Sequence, residues 1–361
     1  MKISITSISI ILFALVGIGV GYVFALPTST APNGDKKNTA MEQYPQYEEI
    51  QSPASFVNSD PFTLGELVGK KVILLDFVTY SCINCQRTFP YLNAWHTAYE
   101  DDGLVIIGIH TPEFSFEKKI ENVRKAAAQY GIEFPLVLDN NYATWNAYGN
   151  RYWPRKYLID IHGQIVYDHI GEGAYEETET KIRELLTERA KILSEKADLG
   201  NIKAASMIAP QNFARSPETY FGSARNERSP QVAGKAGTET LTLPQNPLSS
   251  ALYHKGTWEI TPEYAESAEK DARILYRYHA KEVYLVAEAD TEALMQVLHD
   301  GALISAGACL NGTCTKDARG EDVSLDGTVS VKESRLYKLI NNTSQEEHTL
   351  ELIVPAGVRL Y

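Results

Sequence analysis

Cys82-Ile83-Asn84-Cys85 is the pattern in this chain with the clearest chemical meaning. Two thiols separated by two residues can alternate between dithiol and disulfide and pass two electrons to a partner sulfur. The pattern follows the apolar run Val72 to Val78 and opens a segment with Phe89, Leu92, Trp95 and Tyr99 at helical spacing. A thiol at a helix N-terminus meets unpaired backbone N–H groups and the positive end of the dipole, and both favour thiolate. Cys82 is therefore read as the attacking sulfur, and Cys85, one turn later, as the sulfur that resolves the mixed disulfide. The same spacing could be half a zinc site. His96 and His110 are nearby, but no second Cys-x-x-Cys or paired His follows, so the site residues include no metal ligand.

Three further positions belong to the same chemistry. Asp76 stands inside the apolar run, where desolvation would raise its pKa and let it exchange a proton with the resolving thiol. Trp153-Pro154 precedes a strand-like run, and a cis proline there would present backbone to a substrate near the sulfurs. His110 and Glu113 follow a second buried run at the sheet edge from which Cys82 emerges, which makes them candidates for substrate contact. Trp153 and Tyr80 are read as an apolar rim. Cys309 and Cys314 flank Asn311-Gly312, a turn signal, and read as a structural disulfide.

The elements that must position these groups alternate strand and helix. Val72 to Val78 and Leu104 to Ile109 read as buried parallel strands, with a helix after each; the first is kinked at Pro90, and the second ends at Gly131. Lys156 to Ile159 and Gln164 to His169 form a hairpin, and Tyr175 to Leu193 closes the unit as an amphipathic helix. Residues 47–193 thus form an α/β domain. Residues 194–250 read as a linker, and 251–361 as an all-β sandwich of short strands. Ahead of these, 1–26 is an apolar membrane anchor or cleaved signal, and 27–46 a tether. That leader puts the rest of the chain outside the cytosol, where disulfides persist.

Composition agrees with two globular domains in 361 residues, at 44% hydrophobic and 22% charged. Thirty-four Lys and Arg against 46 Asp and Glu leave a net charge of −12, which argues against a nucleic-acid partner.

The arrangement of strand, Cys-x-x-Cys, helix and proline before an antiparallel strand resembles the thioredoxin fold. The stretches Asp76 to Thr88, His110 to Phe114, Asn150 to Pro154, Ser216 to Tyr220 and Arg335 to Tyr337 resemble the extracytoplasmic part of DipZ-type thiol:disulfide interchange proteins. The resemblance implies Cys82 as nucleophile, Cys85 as resolving thiol, Asp76 as buried acid, Pro154 as cis-proline, and a carbohydrate-binding-module-like second domain. It also implies protein disulfides or another thioredoxin-like protein as partners, and a separate CcdA-like membrane electron donor, with no cofactor beyond the Cys82–Cys85 disulfide. The expected function is a membrane-tethered thiol:disulfide oxidoreductase, more reductant than oxidant. Two alternatives stand beside it. Thr79 upstream of Cys82 fits a thiol peroxidase, and Trp258, Tyr253, Tyr264, Tyr276 and Tyr278 could stack on sugars in a glycan- or surface-binding module.

Overall fold

A computed structural model describes residues 44–200, 216–305, 309–310, 313–314 and 317–361. The run Val72–Val78 forms β2, in which all 7 residues are buried. Continuous apolar sequence of this kind serves a strand covered on both faces. Alternation then sorts its side chains. Val72, Leu74 and Val78 join one core cluster with Cys85, Phe89 and Trp95, while Ile73, Leu75 and Phe77 join a second with Trp145 and Tyr157. Asp76 has the parity of the first set and therefore faces the side that holds Cys85.

Around β2 lie β1 (Ser55–Val57), β3 (Leu104–His110), β4 (Leu136–Leu138), β5 (Arg155–Ile159) and β6 (Ile165–Ile170). Their order in the sheet is β1-β4-β3-β2-β5-β6. β2, β3 and β4 run parallel, and β1, β5 and β6 pair antiparallel with their neighbours. The helices are α1 (Ile83–Tyr99), α2 (Ile120–Gln129), α3 (Ala143–Ala147) and α4 (Tyr175–Leu193). This is a thioredoxin-like fold, as expected. α1 continues through Pro90 as one helix, because its buried face of Phe89, Leu92, Trp95 and Tyr99 outweighs one missing hydrogen bond. Gly131, at φ 62°, ends α2, and Ile132 N–H closes the cap on Ala127 O at 2.8 Å.

The second domain is all-β, as expected, and hydrogen bonding joins nine of its strands into one sheet, with Cys309–Leu310 and Thr313–Cys314 forming a separate two-stranded ladder. Two long strands do this. Ala272–Ala289 has 18 residues and Arg335–Val354 has 20, and they pair antiparallel with a register irregularity between Ala280 and Glu282. By composition, the polar residues near Lys281 and Asn342 look like turns that would divide each into short strands. The two strands stay paired on either side, with Ala280 opposite Glu346 and Glu282 opposite Asn341, so residues 342–345 bulge opposite Lys281. The segment read as a linker also differs. Gly237–Leu241 pairs with Leu252–Ile260, and Phe221 and Val232 are buried in the second core, so much of 216–250 is part of this domain. Isolated apolar anchors in a turn-rich stretch carry no period from which burial could be read. The aromatics offered for sugar stacking are mostly core: Trp258, Tyr253, Tyr276 and Tyr278 are all buried, and Tyr264 packs on Tyr361.

The two domains share side-chain contacts near the thiols. Tyr361 is buried against Phe114 and Phe116, with ring centroids 5.0 and 4.9 Å away. Arg87 of α1 reaches Glu282 at 3.2 Å. Val358–Leu360, the last strand, is paired on both sides, with Ala272–Ala289 and Ala265–Ser267. No helix among the described residues is long and apolar enough to cross a membrane, and residues 1–43, with the anchor or signal segment, lie outside them.

Candidate active site

Cys82 is the N-cap of α1. Its backbone is extended (φ −77°, ψ 119°), and its carbonyl accepts the first helical bond, from Gln86 N–H at 3.0 Å. Its side chain is half-buried, whereas Cys85 is fully buried, and neither is in a disulfide. Burial, and then the hydrogen bond and charge of Cys82, push the Cys85 thiol well above its ordinary value, with Thr79 backbone pulling the other way. A partner can reach only the first of these sulfurs.

Asp76 lies on the same face of β2, completely buried, and neither carboxylate oxygen has a hydrogen-bond partner among the described residues. Burial pushes its pKa up to about 6, against the pull of Lys156. Lys156 is its direct partner on β5, so both side chains project from one face of the sheet, and Lys156 is itself fully buried. Asp76 also contributes to the upward push on Cys85. Burial thus brings an acid that titrates near neutrality into electrostatic contact with the buried thiol.

The Trp153-Pro154 peptide is cis. Its loop is organised by buried Asn150, whose Oδ1 accepts from Arg151 and Tyr152 N–H at 2.8 and 3.3 Å while its Nδ2 donates to Tyr152 O at 3.1 Å. Trp153 is half-buried, packs at a tilt against Trp145 with ring centroids 4.2 Å apart, and donates Nε1–H to Thr111 O at 3.0 Å. The loop after β3 and the proline loop therefore meet.

The other candidates are placed inside the protein. Tyr80 is buried, stacks on His110 at 5.8 Å, and donates its hydroxyl proton to Ser334 O of the second domain at 2.9 Å. It is an interdomain contact and not an exposed rim. His110 is buried, neither ring nitrogen has a partner among the described residues, and burial lowers its pKa to about 4. A neutral core imidazole is the result. Glu113 is committed to the second domain: Arg225 Nη1 lies 2.6 Å from its Oε1, and Tyr220 donates to the same oxygen at 3.2 Å. Cys309 and Cys314 are direct antiparallel partners in a two-stranded ladder, and the proposed bridge between their side chains lies outside the described residues.

One residue escaped the sequence reading. Glu117 is fully buried in the short helix Ser115–Lys118, and its Oε1 accepts from Ser81 N–H at 3.2 Å and Ser81 Oγ–H at 2.6 Å. Its Oε2 accepts from the amides of Glu113 at 2.6 Å and Phe114 at 3.0 Å. Burial raises its pKa, and the Ser81 hydroxyl and the two amides pull it back. Four donors around one carboxylate define an ionised acceptor. The available signal was an acid preceded by Phe114 and Phe116, but a lone Glu in a turn reads as solvated.

Redoxin, as a family, matches residues 40–186, and the family described as thioredoxin like C-terminal domain matches 216–361. The DipZ proteins of Mycobacterium bovis and Mycobacterium tuberculosis are each 41% identical over 245 residues, 67% of this chain and 34% of each relative. The chain thus spans about a third of their length. Thiol-disulfide oxidoreductase ResA of Halalkalibacterium halodurans is 32% identical over 136 residues, 37% of this chain and 72% of ResA. The crystal structure of the thioredoxin-like superfamily protein SPOA0173 aligns at 26% identity over 39% of this chain and 96% of that one, with a TM-score of 0.37. Sequence likeness and the placement of the thiols agree, and the chain belongs to the thioredoxin-like thiol-disulfide oxidoreductase family.

Proposed function

We propose that this protein is an extracytoplasmic, membrane-tethered reductant of protein disulfides or of another thioredoxin-like protein. The observation that carries this reading is the half-buried Cys82 at the start of α1 beside a buried Cys85, with the buried Asp76 on the same side of the sheet. In the first step the Cys82 thiolate attacks one sulfur of the substrate disulfide. An S–S bond forms between Cys82 and that sulfur, the substrate S–S bond breaks, and the departing thiolate takes a proton from water. In the second step Asp76, as carboxylate, accepts the Cys85 proton, and the Cys85 sulfur attacks Cys82. The mixed disulfide breaks, the second substrate sulfur leaves as a thiolate and takes a proton from water, Asp76 returns its proton to water, and Cys82–Cys85 remains as the disulfide. Two electrons and two protons have gone to the substrate.

The Pro154 loop and Trp153 flank this exchange and are the substrate-facing contacts. No cofactor takes part other than the Cys82–Cys85 couple. Reduction back to the dithiol needs a membrane donor of the CcdA-like kind, and the apolar segment within 1–26 holds the domain at the outer face of the membrane. The DipZ likeness supports that setting.

Titrating the Cys82/Cys85 couple of the full chain in glutathione buffers tests the direction. A potential near about −270 mV, as in thioredoxin, is expected; one near about −120 mV makes the protein an oxidant and overturns the reading.

A further inference from the structure

Away from the thiols, the second domain brings two histidines and an aspartate together. His299 ends the strand Ala293–His299, Asp300 begins the turn to Ala302–Leu303, and His348 lies on the neighbouring strand Arg335–Val354. One nitrogen from each histidine and one Asp300 oxygen lie within 4.8 Å of one another. Asp300 Oδ2 is 2.8 Å from His348 Nδ1 and 3.7 Å from His299 Nδ1. Ligand atoms of a tetrahedral zinc ion are about 3.3 Å apart when each is about 2.0–2.1 Å from the metal, and these two distances fall on either side of that value.

The surrounding contacts hold the three groups in this arrangement. Thr349 N–H donates to Asp300 Oδ1 at 2.8 Å, which leaves Oδ2 to the histidines. Asp300 N–H in turn donates to Thr349 O at 2.9 Å, with Asp300 itself in the left-handed region at φ 51°. On the far side of the His299 ring, Nε2 meets the hydroxyl of buried Tyr278 at 3.0 Å, and Asn342 Nδ2–H donates to that hydroxyl at 3.1 Å. A partner of this kind on the other ring nitrogen is what orients a metal-binding imidazole. The His299 and His348 rings lie 4.6 Å apart, and their side chains are 10% and 18% exposed against 51% for Asp300, so the group opens to solvent on the carboxylate side.

A simple His–Asp hydrogen bond accounts for His348 alone. At 3.7 Å, His299 Nδ1 is beyond hydrogen-bond reach of the oxygen it faces, so of this ring only Nε2, on Tyr278, has a hydrogen bond. A cation between the three atoms explains both rings. We infer that His299, Asp300 and His348 form a binding site for a divalent transition metal, with zinc as the best fit to two imidazoles and one carboxylate, and with one coordination position open to water. This departs from the sequence, which assigned no metal. The bound ion would tie the turn at Asp300 to the strand carrying His348, two segments joined otherwise by backbone pairing.

The test is metal binding by the full chain with its cysteines oxidised, probed with zinc and with cobalt(II) as a spectroscopic substitute. One ion per chain is expected, with visible cobalt bands and no sulfur-to-cobalt charge transfer. His299→Ala and His348→Ala should each weaken zinc binding more than about tenfold and abolish the rise in Tm that zinc gives the parent protein. Asp300→Asn retains an acceptor for Thr349 N–H, so it should stay folded by circular dichroism while losing affinity. Unchanged affinity in both histidine variants, a sulfur charge-transfer band, or no binding by the folded parent at micromolar zinc would each overturn the site. None of these outcomes depends on thiol exchange at Cys82.

Discussion

Glu117 and Ser81 are joined twice, through the Ser81 amide at 3.2 Å and its hydroxyl at 2.6 Å, and Ser81 is the residue before Cys82. The same carboxylate holds the amides of Glu113 and Phe114, and Glu113 is in turn paired with Arg225. A continuous set of polar contacts therefore runs from the second domain to the start of α1. Glu117→Gln replaces an oxygen facing two donors with an NH2 group that cannot accept. The expected cost is about 2–3 kcal/mol, read as a lower urea midpoint, with slower disulfide reduction because the Cys82 loop loses its anchor. An unchanged midpoint would mean that water satisfies these donors.

Asp76 sets a pH dependence with a specific sign. Its folded pKa of about 6 is above the ordinary 3.8, so the native state holds the proton more tightly than the unfolded chain. The contribution of Asp76 to stability is therefore fully present at low pH and is lost as pH rises from about 4 through about 6. At pH 8 Asp76→Asn should be more stable than the parent, by an amount on the order of 2–3 kcal/mol from about 1.4 kcal/mol per pKa unit. It should also resolve mixed disulfides more slowly, because the acceptor for the Cys85 proton is gone. Denaturation at pH 4 and pH 8, combined with single-turnover kinetics, separates the two effects.

His110 and His254 act in the opposite direction. Burial lowers both to about 4 from 6.5, so the unfolded chain takes up their protons first. The stability they contribute is present above about 6.5 and is lost as pH falls toward 4. Replacing Asp76 by Asn removes the opposing slope and should steepen acid unfolding over that window. Equal acid slopes in the parent and Asp76→Asn would contradict this.

The thiols differ in access, and their variants should differ accordingly. Cys85→Ser is expected to accumulate a mixed disulfide between Cys82 and a substrate, detected by mass spectrometry under non-reducing conditions. Cys82→Ser should form none at this pair, because Cys85 is buried. Mixed disulfides at Cys85 in that variant would reverse the assignment of the two roles.

Tyr361 couples the domains through packing. It is 5% exposed, lies edge-on to Phe114 and Phe116, and donates its hydroxyl proton to Glu288 at 2.5 Å. Tyr361→Ala should cost about 3–5 kcal/mol and lower the urea midpoint. If the fold tolerates the change with less than about 1 kcal/mol of loss, the contact is not part of the core.

What the sequence determined by itself is local. The run Val72 to Val78 specified a doubly covered strand, and alternation within it placed Asp76 on the side of Cys85. Cys-x-x-Cys after that strand specified a thiol at a helix start, and the resemblance carried by Asn150 to Pro154 anticipated the cis peptide. Tertiary structure decided which distant groups meet these residues. Tyr80 and Ser334 are 254 residues apart, and Glu113 and Arg225 are 112 apart. Periodicity encodes which face of an element is buried, not which remote segment covers it, so a rim tyrosine and a glutamate read as a substrate contact became interdomain contacts. The same limit merged the short strands around Lys281 and Asn342, where a partner strand overrode turn-like composition. It also hid His299, Asp300 and His348, whose approach follows from the pairing of two strands far apart in the chain.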